Sequence, residues 1–106
     1  MGYKQVKAPE NCADMNEIRS EIDALDQEVI HLLSLRYGYV KSASKFKKKP
    51  DQVQAKTRFD NMLAQRRIWA ENAGLSPDVI EKMFRDLVTW FIAQEMAHWS
   101  QSQTRS

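Results

Sequence analysis

One charged residue interrupts a long apolar seam. Counted in steps of three and four, the chain reads Met15, Ile18, Ile22, Leu25, Val29, Leu32, Arg36, Tyr39, Ala43 and Phe46. That spacing is the a/d pattern of helices that pack lengthwise against one another. Every position except Arg36 suits a helix core. A guanidinium keeps its charge throughout the accessible pH range, and leaving it buried without a partner costs several kcal/mol. Arg36 therefore calls for an anion, either a carboxylate of the protein or a bound acidic ligand.

Composition narrows the classes. With 106 residues and a formal charge of only +2, the chain is sized for a single domain over 1–106 and has little of the excess charge of a polyanion binder. Cys12 is the only cysteine, so no intrachain disulfide forms, which suits a reducing compartment. No apolar run approaches the length of a membrane span, and the first residues lack the apolar core of a secretion signal. Three glycines and three prolines leave little punctuation, which favours few and long elements. The expectation is an all-α, cytoplasmic protein with no membrane or nucleic-acid partner.

Local signals place three helices. Pro9, Asn11 and Asp14 disfavour a helix before Met15, so residues 1–13 read as an extended arm. Asp14 or Asn16 can cap a first helix running to about Phe46, with Glu17 in its first turn. Pro50 pushes Lys49 out of helical geometry, and Asp51 can open a second helix over about Gln52 to Ala73. Gly74 reads as a left-handed stop. Ser76-Pro77 is a cap followed by proline at the first helical position, opening a third helix to about Ser100, with 101–106 as a frayed tail. A helix from Met15 to Phe46 spans roughly 48 Å at about 1.5 Å per residue. Two shorter helices of the same chain do not cover such a rod. An intertwined homodimer is the expected remedy.

Candidate site residues carry an ordinary reading as well as a functional one. Arg19 lies beside the seam and has Asp23 and Asp26 within helical reach, so an exposed intrahelical pair is its plain role. Arg58 is by default a solvated surface residue. The cluster from Lys45 to Lys49 is by default a solvated loop, or the basic patch of a nucleic-acid binder. Glu95 is different, because Val88, Ile92, Glu95 and Trp99 form one stripe of the third helix. It is either the internal counter-ion of Arg36 or a carboxylic acid kept neutral to donate a hydrogen bond. His31 and His98 fall on different helices with no acidic cluster nearby, and no phosphate loop or activated nucleophile is present. No metal and no cofactor is expected.

Several blocks converge on one family. APENC (Ala8 to Cys12), EIRSEIDALDQEVIHLL from Glu17, LRYGYVKSASKFK (Leu35 to Lys47), RRIWAENAGL (Arg66 to Leu75) and WFIAQEMAHW (Trp90 to Trp99) resemble the all-helical chorismate mutase class. Within it they are most similar to the isochorismate-pyruvate lyases of salicylate biosynthesis. The resemblance implies an intertwined dimer with two sites for a small dicarboxylate. In each site Arg19 comes from the other subunit, Arg36 and Arg58 bind carboxylates, and Lys47 closes over the ligand. The position of Glu95 is glutamine in the characterised lyases and many bacterial mutases, and glutamate in some eukaryotic mutases. The implied activity is isochorismate-pyruvate lyase, with weak chorismate mutase activity as a by-product. A dedicated chorismate mutase is the alternative, and a non-catalytic helical dimer or basic-loop nucleic-acid binder the third reading.

Overall fold

The computed structural model describes residues 2–104. It is all-α, with no strand among the described residues. Three long helices are α1 (Met15–Ala43), α3 (Lys56–Asn72) and α4 (Pro77–Thr104), and the short helix α2 (Pro50–Gln54) precedes α3. Single 3-10 turns cover Pro9–Asn11 and Ser44–Phe46. Among the described residues no helix is long and apolar enough to cross a membrane. The chain divides into two compact units, Met1–Gly38 and Tyr39–Ser106.

The first unit is the arm and most of α1. Asp14 caps the helix, its Oδ1 accepting the Glu17 N–H at 3.0 Å, while Glu17 Oε1 accepts from Ala13 at 2.6 Å. The two acids thus satisfy N–H groups at the helix start that lack an intrahelical partner. The expected extended arm is partly a tether. Val6 and Lys7 each donate a backbone N–H to Glu21 Oε1 at 2.9 Å, the Tyr3 hydroxyl donates to Glu21, and the Lys7 ammonium pairs with Glu17. No described residue of this unit is buried. Along the seam Met15 is 54% exposed, Ile22 50%, Leu25 43%, Val29 47% and Leu32 53%. A helix of 29 residues therefore leaves its apolar stripe half open.

The second unit holds the core. Met62 and Leu63 of α3 pack with Val88 of α4, and Phe59, Phe84 and Ile92 close round them. Each such side chain contributes about 1.5–3 kcal/mol when fully buried. Val53 of α2, Ala70 of α3 and Phe91 of α4 are also buried.

Several boundaries differ from the sequence expectation. The first helix ends at Ala43 rather than near Phe46, because the chain tightens into the Ser44–Phe46 turn. There the Ser44 hydroxyl donates to the Lys41 carbonyl at 2.7 Å, and the Lys47 N–H to the Ser44 carbonyl at 3.1 Å. The second helix is divided at Ala55, whose φ of 42° and ψ of 59° are left-handed. Its N–H closes α2 on the Asp51 carbonyl at 2.8 Å, while its own carbonyl receives the Phe59 N–H and starts α3. Lys49 is extended as expected, at φ −135° and ψ 152°, and α2 begins on Pro50 itself. Gly74 takes φ 78°. Ser76 caps α4, its hydroxyl receiving the Val79 N–H at 3.3 Å. That helix continues to Thr104, so 101–104 are helical and only 105–106 of the expected tail fall outside the described residues.

The tether should be pH-dependent. The Tyr3 hydrogen bond holds Glu21 below the usual carboxylate range, and the Lys7 contact does the same for Glu17; Tyr3 is pushed up to about 12, chiefly by Glu21. Depressed carboxyls stabilise fully above the ordinary value near ~4.3 and lose that effect as pH falls through the folded values. The raised phenol contributes fully below ~10 and is lost on rising through its folded value. Exchange protection at the Val6 and Lys7 amides should therefore persist at neutral pH and collapse in acid below ~4. In Glu21→Ala it should be absent at pH 7, and wild-type protection in that variant would show that the carboxylate does not hold the arm.

Candidate active site

The loop after α1 and one face of α4 bring two of the expected site residues together. Glu95 follows Ile92 by one turn on the stripe that begins in the core at Val88, so the packing of α4 carries its carboxyl inward. The residue is 5% exposed. The Lys47 ammonium lies 3.4 Å from Glu95 Oε2. This is an ion-pair distance without hydrogen-bond geometry, and Oε2 has no hydrogen-bond partner. Lys47 Nζ instead donates to the Gln52 carbonyl at 3.0 Å. Of the cluster from Lys45 to Lys49, it is Lys47 that meets the carboxylate, while Lys48 and Lys49 are exposed.

The backbone of this loop is held from outside. The Trp99 indole N–H donates to the Lys47 carbonyl at 2.7 Å. Gln52 Oε1 accepts the N–H groups of Lys48 and Lys49, and the Gln52 N–H donates to the Lys49 carbonyl at 3.1 Å. The sequence places Trp99 only on the apolar stripe of the third helix and gives Gln52 no role beyond the start of the second. Their hydrogen-bond partners lie on irregular backbone, which side-chain periodicity does not reveal.

The remaining candidates are distributed over the two units. Arg19 is exposed and Arg36 half-buried, both on the part of α1 in the first unit. Among the described residues no ion pair joins Arg19 to Asp23 or Asp26, so its expected intrahelical pair does not form. Arg58 is exposed near the start of α3. A further cation on that helix escaped the candidate set. The Arg66 guanidinium lies 4.4 Å from the Trp69 ring centre and 5.7 Å from that of Phe84. Its Nε is buried without a hydrogen-bond partner. Burial first, and the charge of Arg58 second, lower its pKa. Arginine over an aromatic face is a favourable cation–π arrangement, but neither ring neutralises the charge.

Residues 18–96 match the family described as chorismate mutase type II. The chain belongs to the chorismate mutase type II family. Isochorismate pyruvate lyase of Pseudomonas aeruginosa is 36% identical over 98 residues, spanning 92% of this chain and 97% of that protein. The T-protein of Haemophilus influenzae is 38% identical over 82 residues, 76% of this chain but only 22% of its own length. The chorismate mutase match includes Arg19, Arg36, Lys47, Arg58 and Glu95, and it ends before Trp99.

Proposed function

We propose that this chain is an isochorismate-pyruvate lyase that forms salicylate and pyruvate without a cofactor. The observation that carries the reading is the match to a lyase across almost the full length of both chains. In this reaction the substrate transfers a hydrogen within itself while its ether C–O bond breaks, so the protein has no need of a base or nucleophile. Its work is to hold a compact conformer and to set donors where charge develops. Arginine gives the two substrate carboxylates a bidentate grip that lysine lacks. Arg19, Arg36 and Arg58 take that role, and Lys47 contacts the breaking ether bond. The Lys47–Glu95 contact supports this division, since it ties the lysine of the loop to the buried acid of α4. Salicylate fluorescence with isochorismate, and prephenate formation with chorismate, test the assignment directly. The expected result is fast salicylate release with slow or no prephenate, and Lys47→Ala should lower kcat at least ~100-fold while the fold persists. Prephenate as the main product would make the protein a chorismate mutase.

The active species is an intertwined homodimer of single-domain chains, each site completed by Arg19 of the second copy. The open seam of α1 supports this, because a half-exposed apolar stripe of that length needs a cover. Complementation tests it. Arg19→Ala and Arg36→Ala are each expected to be inactive. Mixed and allowed to exchange, they should regain about a quarter of wild-type activity, because random pairing leaves one intact site in each mixed dimer. No recovery despite exchange would place both arginines in the site of one chain.

With substrate bound, Glu95 works as the neutral acid and donates a hydrogen bond to it; ionised, as in its pairing with Lys47 before substrate binds, it would repel a dianion. Turnover should then fall as pH rises. Glu95→Gln, whose amide donates at any pH, should lose that alkaline decline and gain rate at neutral pH. A pH–rate profile that is the same in both proteins would remove Glu95 from this role.

A further inference from the structure

Lys47 sits in a loop that has every reason to open. Three consecutive lysines repel one another, and residues 47–49 have no regular secondary structure. The side chain itself is long and freely rotating, so an ammonium there has no intrinsic position. Yet its backbone groups are accounted for. The Lys47 N–H reaches the Ser44 carbonyl, the Lys47 carbonyl receives the Trp99 indole, and the next two N–H groups converge on Gln52 Oε1. Gln52 also offers its own carbonyl to the Lys47 ammonium.

Trp99 is separated from Lys47 by 52 positions in the chain, so this bond is tertiary. It lies one turn beyond Glu95 on the same face of α4. One rigid helix face therefore grips the lysine at two points. Trp99 takes the backbone carbonyl, and Glu95 faces the ammonium.

We infer that Trp99 and Gln52 are positioning residues for Lys47, fixing the loop backbone so that the ammonium stays at the Glu95 carboxylate. The inference rests on the functional reading of Lys47 and extends it to two residues that touch no reacting atom. Removing the indole N–H while keeping an aromatic ring frees the Lys47 carbonyl, and the loop then samples open positions. Turnover suffers only through Lys47, which separates positioning from a general structural role.

A double-mutant cycle with Trp99→Phe, alone and combined with Lys47→Ala, reads this directly. Trp99→Phe alone should lower kcat about tenfold with KM nearly unchanged, and the added loss should vanish once Lys47 is alanine. Amide exchange at Lys47, Lys48 and Lys49 should rise by a similar factor. Gln52→Met, which removes the side-chain amide and keeps the backbone carbonyl, should behave alike in both measurements and decides the matter alone if Trp99→Phe does not fold. Equal losses in the two backgrounds, or loop exchange at the wild-type rate, would overturn the inference. A wild-type protein that converts neither isochorismate nor chorismate would overturn the functional reading instead. Loop exchange would then judge the backbone hold by itself.

Discussion

One face of α4 organises the second unit. At one end, Val88 packs with Met62 and Leu63 and anchors the helix to α3. Further along, the same stripe delivers Glu95 and then Trp99 to the loop that follows α1. Core and candidate site thus share a rigid element. A buried carboxyl is costly, and its retention on an otherwise apolar stripe makes sense only where a cation or a ligand meets it. The Glu95 carboxyl faces the Lys47 ammonium at 3.4 Å. That contact lies across a loop instead of within the helical seam.

The first unit presents the opposite situation. Its helix has a good cap and a tethered arm, yet no described residue of this unit is fully buried. Helices in proteins draw most of their stability from packing an apolar face, and α1 has such a face with half its area in water. The arm engages Glu17 and Glu21, which are rotated roughly 100° from the seam positions Ile18 and Ile22 on a helix of about 3.6 residues per turn. The arm therefore does not cover the apolar stripe.

Signals confined to a few residues were legible in the sequence. Gly74, Ser76-Pro77 and the Lys49-Pro50 step act through local sterics and hydrogen bonds, and each stands where its chemistry requires. The break at Ala55 was not legible. Alanine has no preference for left-handed geometry, and that conformation is imposed by joining α2 to α3. The Ser44–Phe46 turn was missed for a related reason, since serine is compatible with helix and its backbonding to Lys41 appears only in three dimensions. Among candidate residues, Glu95 was found through its place on an apolar stripe. Lys47 came from the family likeness, while Trp99, Gln52 and Arg66 depend on tertiary neighbours that no spacing encodes.

The contact between Lys47 and Glu95 bears on how the proposed site would accept a dianion. A site of free cations would attract any small acid, whereas a lysine already facing a carboxylate gives less advantage to a weak competitor. The contact is loose: 3.4 Å, without hydrogen-bond geometry, and shared with a backbone carbonyl. On the function proposed above, a ligand with two carboxylates held by arginines would offer its ether oxygen to the same ammonium at no further cost in translational freedom. Selectivity would then follow from requiring both features in one molecule, because an acid lacking the ether oxygen would not replace what Lys47 gives up on leaving Glu95.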